Sequence, residues 1–567
     1  MTSFLSFADL CHRVEEVSST LDKIDLVAAF LAGLDDEELA ISSNFVMGTV
    51  FPPGSDIVMG VGPSTLYEAL ARACGCPNSQ IQEMLRAAGD AGLVASRVVE
   101  KRRPQNFASF IGQDQLSISD VYQRFVAVAK ASGKRSQDAK IKNLQFLFSQ
   151  ASELEALYIA RLSIEDMRIG VGEGGVRDAL AKAFGRPADA VERGYSLTND
   201  MGLVAVSAKK GTLSDLGVML NHPIKMMLAQ LGAGIPASLK EIGTAAIEWK
   251  YDGARVQIHK DGEKVRIFSR RLENVTASLP DIVRDATQMI HAKTAILDGE
   301  AVAIAEDGRP RAFQEVLKRF RRKYNVKRLA AEIPLKPFLF DLIYLEGESV
   351  IDLPLSERRA LLVKVAEPSL VAEQFLSEKV EVAKRIYKEA LSAGHEGIML
   401  KNPASAYTPG KRGKNWLKIK PVMETLDLVV IGARWGEGRR ASFLGSYRLA
   451  CVDPETGRLL DVGWVATGLT DEALSELTGI FKELIVVQKG MEMELKPAVI
   501  FEVAYEEIQK SPNYSSGFAL RFPRLVRVRD DKSLEEADTL ERVASLYKMQ
   551  RGRNKSPSAR SESAGQE

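Results

Sequence analysis

The apolar residues of this 567-residue chain change their spacing twice, and that change constrains the fold more than any other feature. Up to about residue 215 they recur at helical spacing, as in Lys23-Ile24-Asp25-Leu26-Val27-Ala28-Ala29-Phe30-Leu31 and across 149–158, with few strand-like segments between. From about 216 to 421 short alternating runs take over, at 245–247, 255–259, 265–268, 295–297, 338–340 and 397–400, separated by short helical stretches. From about 422 to 550 three strand-like runs, 428–431, 446–450 and 460–465, precede a helical stretch from Asp471 to about Leu484, and runs near 499–503 and 525–528 follow. Helices and strands bury residues at different periods, so each change of spacing marks a candidate domain boundary. The pattern predicts a multidomain chain: an all-α domain over 1–215, an α+β domain over 216–421, and a β-barrel of OB-fold order over 422–550. The tail, 551–567, is rich in Ser, Lys, Arg, Gly and Glu without apolar periodicity, which predicts disorder.

Composition narrows the function by exclusion. Lys and Arg total 76 against 75 Asp and Glu, so bulk charge does not mark a nucleic-acid binder and local charge has to be read instead. The most basic run is Lys318-Arg319-Phe320-Arg321-Arg322-Lys323-Tyr324-Asn325-Val326-Lys327-Arg328, which reads as a phosphate-binding surface or a solvated helix face. Cys11, Cys74, Cys76 and Cys451 are too scattered for a four-cysteine zinc site and read as thiols in a reducing compartment. The five histidines are equally dispersed. No apolar run approaches the ~20 residues of a membrane span, and no basic-then-apolar leader opens the chain, so a cytoplasmic protein without a membrane partner is expected.

Two glycine-rich patterns bear on nucleotide chemistry. The phosphate loop Gly-x4-Gly-Lys-Ser/Thr is absent, so any nucleotide is held some other way. Gly170-Val171-Gly172-Glu173-Gly174-Gly175 matches the dinucleotide-binding spacing, which demands a strand before it. A helix start is expected there instead, with Ser163 and Asp166 as a capping box. The glycines then link two helices, either as a plain turn or as bare amides for DNA phosphates.

In the middle region, Glu248-Trp249-Lys250-Tyr251-Asp252-Gly253-Ala254-Arg255 ends an apolar run on a lysine, followed at once by an acid, a glycine and an arginine. Lys250 reads as a nucleophile projected by an Asp252-Gly253 turn, where a phosphate can approach a backbone without a side chain. A hairpin carrying a solvated lysine fits the same residues.

Reading on, acids, bases and one aromatic recur at strand ends in a particular order, and the chain resembles the ATP-dependent DNA ligases, most closely the archaeal type related to eukaryotic replicative enzymes. Lys250-Tyr251-Asp252-Gly253 with Arg255 resembles the nucleotidyl-lysine motif, and Ser269-Arg270-Arg271-Leu272-Glu273-Asn274 the next, whose Arg270 would meet phosphate. Leu297-Asp298-Gly299-Glu300 is similar to the motif whose glutamate serves metal and ribose, and Phe338-Leu339-Phe340-Asp341-Leu342 to the one whose phenylalanine, Phe340, stacks on adenine. Glu396 in Glu396-Gly397-Ile398-Met399-Leu400-Lys401 would be a second metal-side glutamate, and Lys418 and Lys420 in Trp416-Leu417-Lys418-Ile419-Lys420-Pro421 the phosphate-binding lysines. Arg521, in Arg521-Phe522-Pro523-Arg524, would orient pyrophosphate, and Glu248 would bond the adenine amino group.

The resemblance implies ATP as cofactor with Mg2+, or Mn2+ in its place, and nicked double-stranded DNA as substrate. An ordinary lysine ammonium, with a pKa of ~10.4, does not attack phosphorus at neutral pH, so the reaction calls for positive charge beside the nucleophile. Metal held by Glu300 and Glu396, with Arg255, Lys418 and Lys420, would supply it and neutralise charge growing on the α-phosphate. AMP would pass from Lys250 to the 5′-phosphate at a nick, and the 3′-hydroxyl would then displace it. A barrel swinging about a hinge near Pro421-Val422 would serve the first step and then grip DNA, while the helical domain completes the grip by phosphate contacts. A monomer is expected. Gln105-Asn106-Phe107-Ala108-Ser109-Phe110 loosely matches the peptide by which family members reach a sliding clamp, without its adjacent aromatic pair. The long helical N-terminus argues against an RNA ligase or an mRNA-capping guanylyltransferase, the cysteine pattern against an NAD-dependent ligase, and Lys250, Glu300 and Glu396 against a non-catalytic DNA-binding scaffold.

Overall fold

The computed structural model describes residues 1–102, 115–133, 135–311, 313–320, 325–421, 425–436 and 443–550. The clamp-like peptide 105–110, residues 321–324 of the basic run, Val422 of the expected hinge and the tail 551–567 lie outside the described residues. The chain forms two compact units, Met1–Ala390 with Gly397–Ile419, and Leu391–Glu396 with Lys420–Glu567. No described helix is long and apolar enough to cross a membrane.

The first unit begins with helices alone, from Phe4–Glu16 to Met201–Lys210, among the described residues. Their starts follow the sequence closely: the side chains of Ser3, Ser19, Asp35, Ser117, Ser152 and Asp200 each accept a backbone N–H of the first turn. The rings of Phe4, Phe7, Phe45 and Phe125 meet in the core at centroid distances of 5.5, 5.7 and 6.1 Å.

Two helical expectations are corrected. The stretch 149–158 is not one helix, because Ser136–Gln150 ends there and Ser152, in a capping box with Glu155, starts Glu153–Ser163. Ser163 closes that second helix rather than opening another, and its hydroxyl donates to Ile159 O at 2.7 Å. Buried Arg161 fixes this end by donating to Glu15, to Asp90 and to Met167 O. Gly172 then caps the helix Glu173–Phe184 without a preceding strand, so the dinucleotide fold is excluded as expected.

Two five-stranded sheets follow. The first contains β1 (Leu228–Leu231), β2 (Ala245–Lys250), β8 (Gln374–Ser377), β9 (Gly397–Lys401) and β10 (Arg412–Ile419), ordered β1-β10-β9-β2-β8. The second contains β3 (Ala254–Asp261), β4 (Lys264–Ser269), β5 (Thr294–Ala303), β6 (Leu335–Leu345) and β7 (Glu348–Ser349), ordered β4-β3-β5-β6-β7. Asp252-Gly253 therefore does not turn a hairpin; β2 and β3 belong to different sheets, and the chain crosses from one to the other immediately after Lys250. One side of the second sheet is covered by the helix Pro280–Met289, whose Ile282 and Ala286 pack on Val256, Ile258, Leu297 and Leu339. The expected basic surface loses Arg319 to this core: it is 1% exposed, paired at 2.8 Å with Asp281, and donates to Ile333 O at 2.6 Å.

The second unit carries β11 (Leu426–Trp435), β12 (Leu444–Val452), β13 (Leu459–Val465), β14 (Ile485–Lys489), β15 (Glu492–Leu495), β16 (Ile500–Ala504), β17 (Glu507–Lys510), β18 (Phe518–Arg521) and β19 (Arg524–Val528). The first three strands, the helix Asp471–Lys482 and the later pair β16 and β19 follow the expected order. Sequence reading missed β14, β15, β17 and β18, strands of four or five residues, too short to establish a period of their own. The core of this unit gathers Leu428, Val430, Tyr447, Leu449, Phe481 and Phe501.

Candidate active site

Side chains alternate across a strand, so Glu248 and Lys250 share one face of β2. The register extends that face across the sheet: Glu248 lies opposite Gln374 of β8 and Met399 of β9, Ala246 opposite Lys401, Lys401 opposite Trp416, and Met399 opposite Lys418. Gln374, Glu248, Lys250, Lys401, Trp416 and Lys418 thus project from one side. On the second sheet Arg255 lies opposite Glu300, and Glu300 opposite Phe338. The two faces meet. Phe340 packs edge-on against Trp416 at 6.1 Å, and the Arg255 guanidinium stands 5.5 Å from the Phe340 ring and 5.7 Å from that of Trp416.

Lys250 is the last residue of β2, half-buried and opposite Gly397. Two glycines make that position possible by close packing. A Cβ on Gly397 would stand 2.1 Å from Ile419 O, and its φ of +144° excludes side chains besides. A Cβ on Gly253 would stand 2.4 Å from Ala301 O and 2.9 Å from Glu300 Cγ. The bare backbone of Gly253 is therefore taken up by β5, not left open for a phosphate.

Behind Lys250 the polar groups are heavily engaged. Glu248 is 2% exposed; its Oε2 pairs with Lys401 Nζ at 2.6 Å and its Oε1 accepts from Gln374 Nε2 at 2.7 Å. Arg255 donates to both oxygens of buried Asp298, at 3.0 and 2.6 Å, and to Met227 O at 2.6 Å. Burial disfavours the Arg255 charge, but Asp298 outweighs this and holds the guanidinium above its ordinary range. The Tyr407 hydroxyl donates to Asp298 Oδ2 at 2.7 Å and accepts from the Met227 amide; burial first, then Asp298, raise it well above the usual tyrosine range. Tyr251 stacks on Phe338 at 4.4 Å and 14°.

Of the remaining expected residues, Glu300 is half-buried on β5, on the face that carries Arg255, while Arg270 is exposed on the turn after β4. Glu396, Lys420 and Arg521 belong to the other unit. There Lys420 pairs with Glu396 at 2.5 Å and Glu506 at 3.1 Å; burial works against its ammonium, yet the two carboxylates win and raise its pKa. Arg521 lies 3.4 Å from Glu507.

Among the described residues no group of three or more His, Cys, Asp or Glu side chains is placed to hold a metal. Carboxylates in ones and twos still suit magnesium, which keeps several waters and binds through one or two acids plus substrate phosphates. Sequence reading missed Asp298, Tyr407, Gln374, Lys401 and the buried ion pair of Asp341 with Arg358 at 2.7 Å. A signal existed for Lys401, a lysine closing the apolar run Gly397-Ile398-Met399-Leu400, which a surface strand does not require. None existed for Tyr407, which lies in an irregular stretch.

The chain matches three family descriptions in order: "DNA ligase N terminus" over residues 3–181, "ATP dependent DNA ligase domain" over 226–420, and "ATP dependent DNA ligase C terminal region" over 440–532. It is 62% identical over 555 residues to a DNA ligase of Methanothrix thermoacetophila, covering 98% of this chain and 100% of that one. With a DNA ligase of Archaeoglobus fulgidus the identity is 49% over 554 residues, covering 96% and 99%. Among solved structures, "Pmar-Lig_PreS3" shares the fold with a TM-score of 0.57 at 20% identity, over 92% of this chain and 99% of that one.

Proposed function

We propose, for a chain that belongs to the ATP-dependent DNA ligase family, that Lys250 is the residue that carries AMP between ATP and the nick. One observation supports this above the rest: strand register sets Glu248, Lys250 and Lys418 on one sheet face, opposite the Arg255, Glu300 and Phe340 face of the other sheet.

In this reading the adenine stacks on Phe340 with its amino group toward Glu248. Lys250 Nζ attacks the α-phosphorus of ATP and the bond to pyrophosphate breaks, leaving a lysyl-AMP phosphoramidate. The 5′-phosphate at the nick then takes AMP from Lys250, and the 3′-hydroxyl displaces AMP to close the strand. Lys418 and Lys420 hold phosphate oxygens, Arg270 meets phosphate from its exposed turn, and Arg521 orients the departing pyrophosphate in the first step only. Arg255 acts through position: with its donors on Asp298 and Met227, it braces the strand beside Lys250 and Phe340. Mg2+, or Mn2+ in its place, held by Glu300 and Glu396, would neutralise charge on the α-phosphate.

The helical part to about residue 215 would follow DNA phosphates, with domain boundaries near 215 and 421 and a hinge at Pro421-Val422. The enzyme would act as a cytoplasmic monomer in replication, repair and recombination, and peptide 105–110 is the segment to test for a sliding clamp.

The test compares nicked duplex DNA with nicked RNA, and ATP with GTP. Sealing of nicked DNA with ATP and magnesium, lost on chelation of the metal and in Lys250→Ala, is expected. Sealing confined to RNA, or transfer from GTP alone, contradicts the reading.

A further inference from the structure

Lys401 stands at the centre of the base-binding end of the site. It is 1% exposed, and burying a lysine ammonium is costly unless it is paired. Its Nζ lies 2.6 Å from Glu248 Oε2, and also 4.5 Å from the centre of the Phe340 ring and 4.3 Å from that of Trp416. The other Glu248 oxygen accepts from Gln374 at 2.7 Å. Gln374 donates to one oxygen and the Lys401 ammonium forms an ion pair with the other, so neither protein partner presents an acceptor and what Glu248 offers a third partner is a lone pair. The same ammonium rests on the proposed stacking ring, tying the edge reader to the plane in which a purine would lie.

We infer that Lys401 is a positioning residue for base selection: it holds Glu248 as an acceptor-only reader beside Phe340, so that the site takes a purine carrying a 6-amino group and rejects one carrying a 6-oxo group. This rests on the reading of Lys250, Glu248 and Phe340 as the nucleotide site. Adenine's amino group donates to the free lone pair. Hypoxanthine's 6-oxygen sets acceptor against acceptor, leaving two buried polar groups unpaired, a mismatch of the kind that discriminates far more strongly than a missing methylene.

The experiment measures single-turnover formation of protein-bound nucleotide on the full chain with magnesium, using α-labelled ATP, purine riboside triphosphate (no 6-substituent) and ITP. In the wild type the expected order is ATP, then purine riboside triphosphate, then ITP, with ATP over ITP by ~100-fold or more. Lys401→Met is expected to shrink that ratio by ~10-fold or more, and Lys401→Arg to restore part of it. A role confined to packing would slow both nucleotides alike and leave the ratio unchanged, which overturns the inference. ITP used as well as purine riboside triphosphate by the wild type also overturns it, and needs no folded variant. Glu248→Gln separates the levels. If it collapses the ratio while Lys401→Met does not, the Lys401 inference alone fails; if it leaves the ratio intact, the assignment of Glu248 as base reader fails too.

Discussion

At the residue scale the site is built from charges that satisfy one another before any substrate arrives. Arg255 was legible as a basic residue beside Lys250, but its partner was not, because Asp298-Gly299 in a sequence reads as a turn while the protein places it within β5. Asp298 becomes recognisable only when β3 and β5 pair and bring the two side chains onto one face. His259 gives a second buried polar case with a pH consequence. Its Nδ1 accepts the Asn221 amide at 3.0 Å and its Nε2 faces Gln257 Oε1 at 2.9 Å, which makes it a neutral imidazole with the proton on Nε2. Burial, helped by His222 and Arg266, lowers its pKa to about 3. In the unfolded chain a histidine titrates near ~6.5, so between these values the unfolded state binds the extra proton. The stability from this group is therefore fully present above pH ~6.5 and is lost as the pH falls toward about 3. Urea unfolding of wild type and His259→Gln at pH 7 and pH 4.5 checks this. The variant is expected to be less stable at pH 7 by ~1–2 kcal/mol yet to lose less on acidification, because its amide carries no proton equilibrium. Equal losses in both proteins would contradict the assignment.

At the element scale the positions of β2, β3, β4, β5, β6 and β9 were legible because each carries a short apolar or alternating run, whereas pairing was not, and β10, which opens on Arg412-Gly413-Lys414-Asn415, was not read as a strand. Nothing local distinguishes Asp252-Gly253 in a hairpin from the same residues crossing between sheets, since the difference lies in partners more than forty residues away. The same reasoning explains the glycines. Gly253 was legible as special, but the atom that needs its bare backbone is Ala301 O, and Gly397 is required by Ile419 O. Gly397→Ala forces a Cβ to within 2.1 Å of that carbonyl at a φ of +144°. The expected cost is about 2–3 kcal/mol in denaturant unfolding, with slower labelling of Lys250 by ATP because the neighbouring strand must shift. Gly413→Ala, where nothing lies within 4 Å of the added carbon, is the control and should change neither. Comparable effects at both positions would show that the close approach at Gly397 is not what places Lys250.

For the whole molecule, the chain was legible as helical, then mixed, then strand-rich, since those textures follow from apolar spacing over long windows. The helices from Phe4–Glu16 to Met201–Lys210, the two sheets of the middle region and the strands β11–β19 follow that order among the described residues. What spacing did not reveal is that the expected site residues divide between two compact units, with Glu396, Lys420 and Arg521 in one and Lys250 in the other. The central proposal is that Lys250 is the covalent carrier. The direct measurement is incubation of the full chain with α-labelled ATP and magnesium, followed by proteolysis and mapping of the labelled peptide. The account predicts one AMP on the peptide containing Glu248-Trp249-Lys250-Tyr251, attached at Lys250 and discharged on addition of nicked DNA. Label on another lysine, or label that persists unchanged when nicked DNA is sealed, would contradict it.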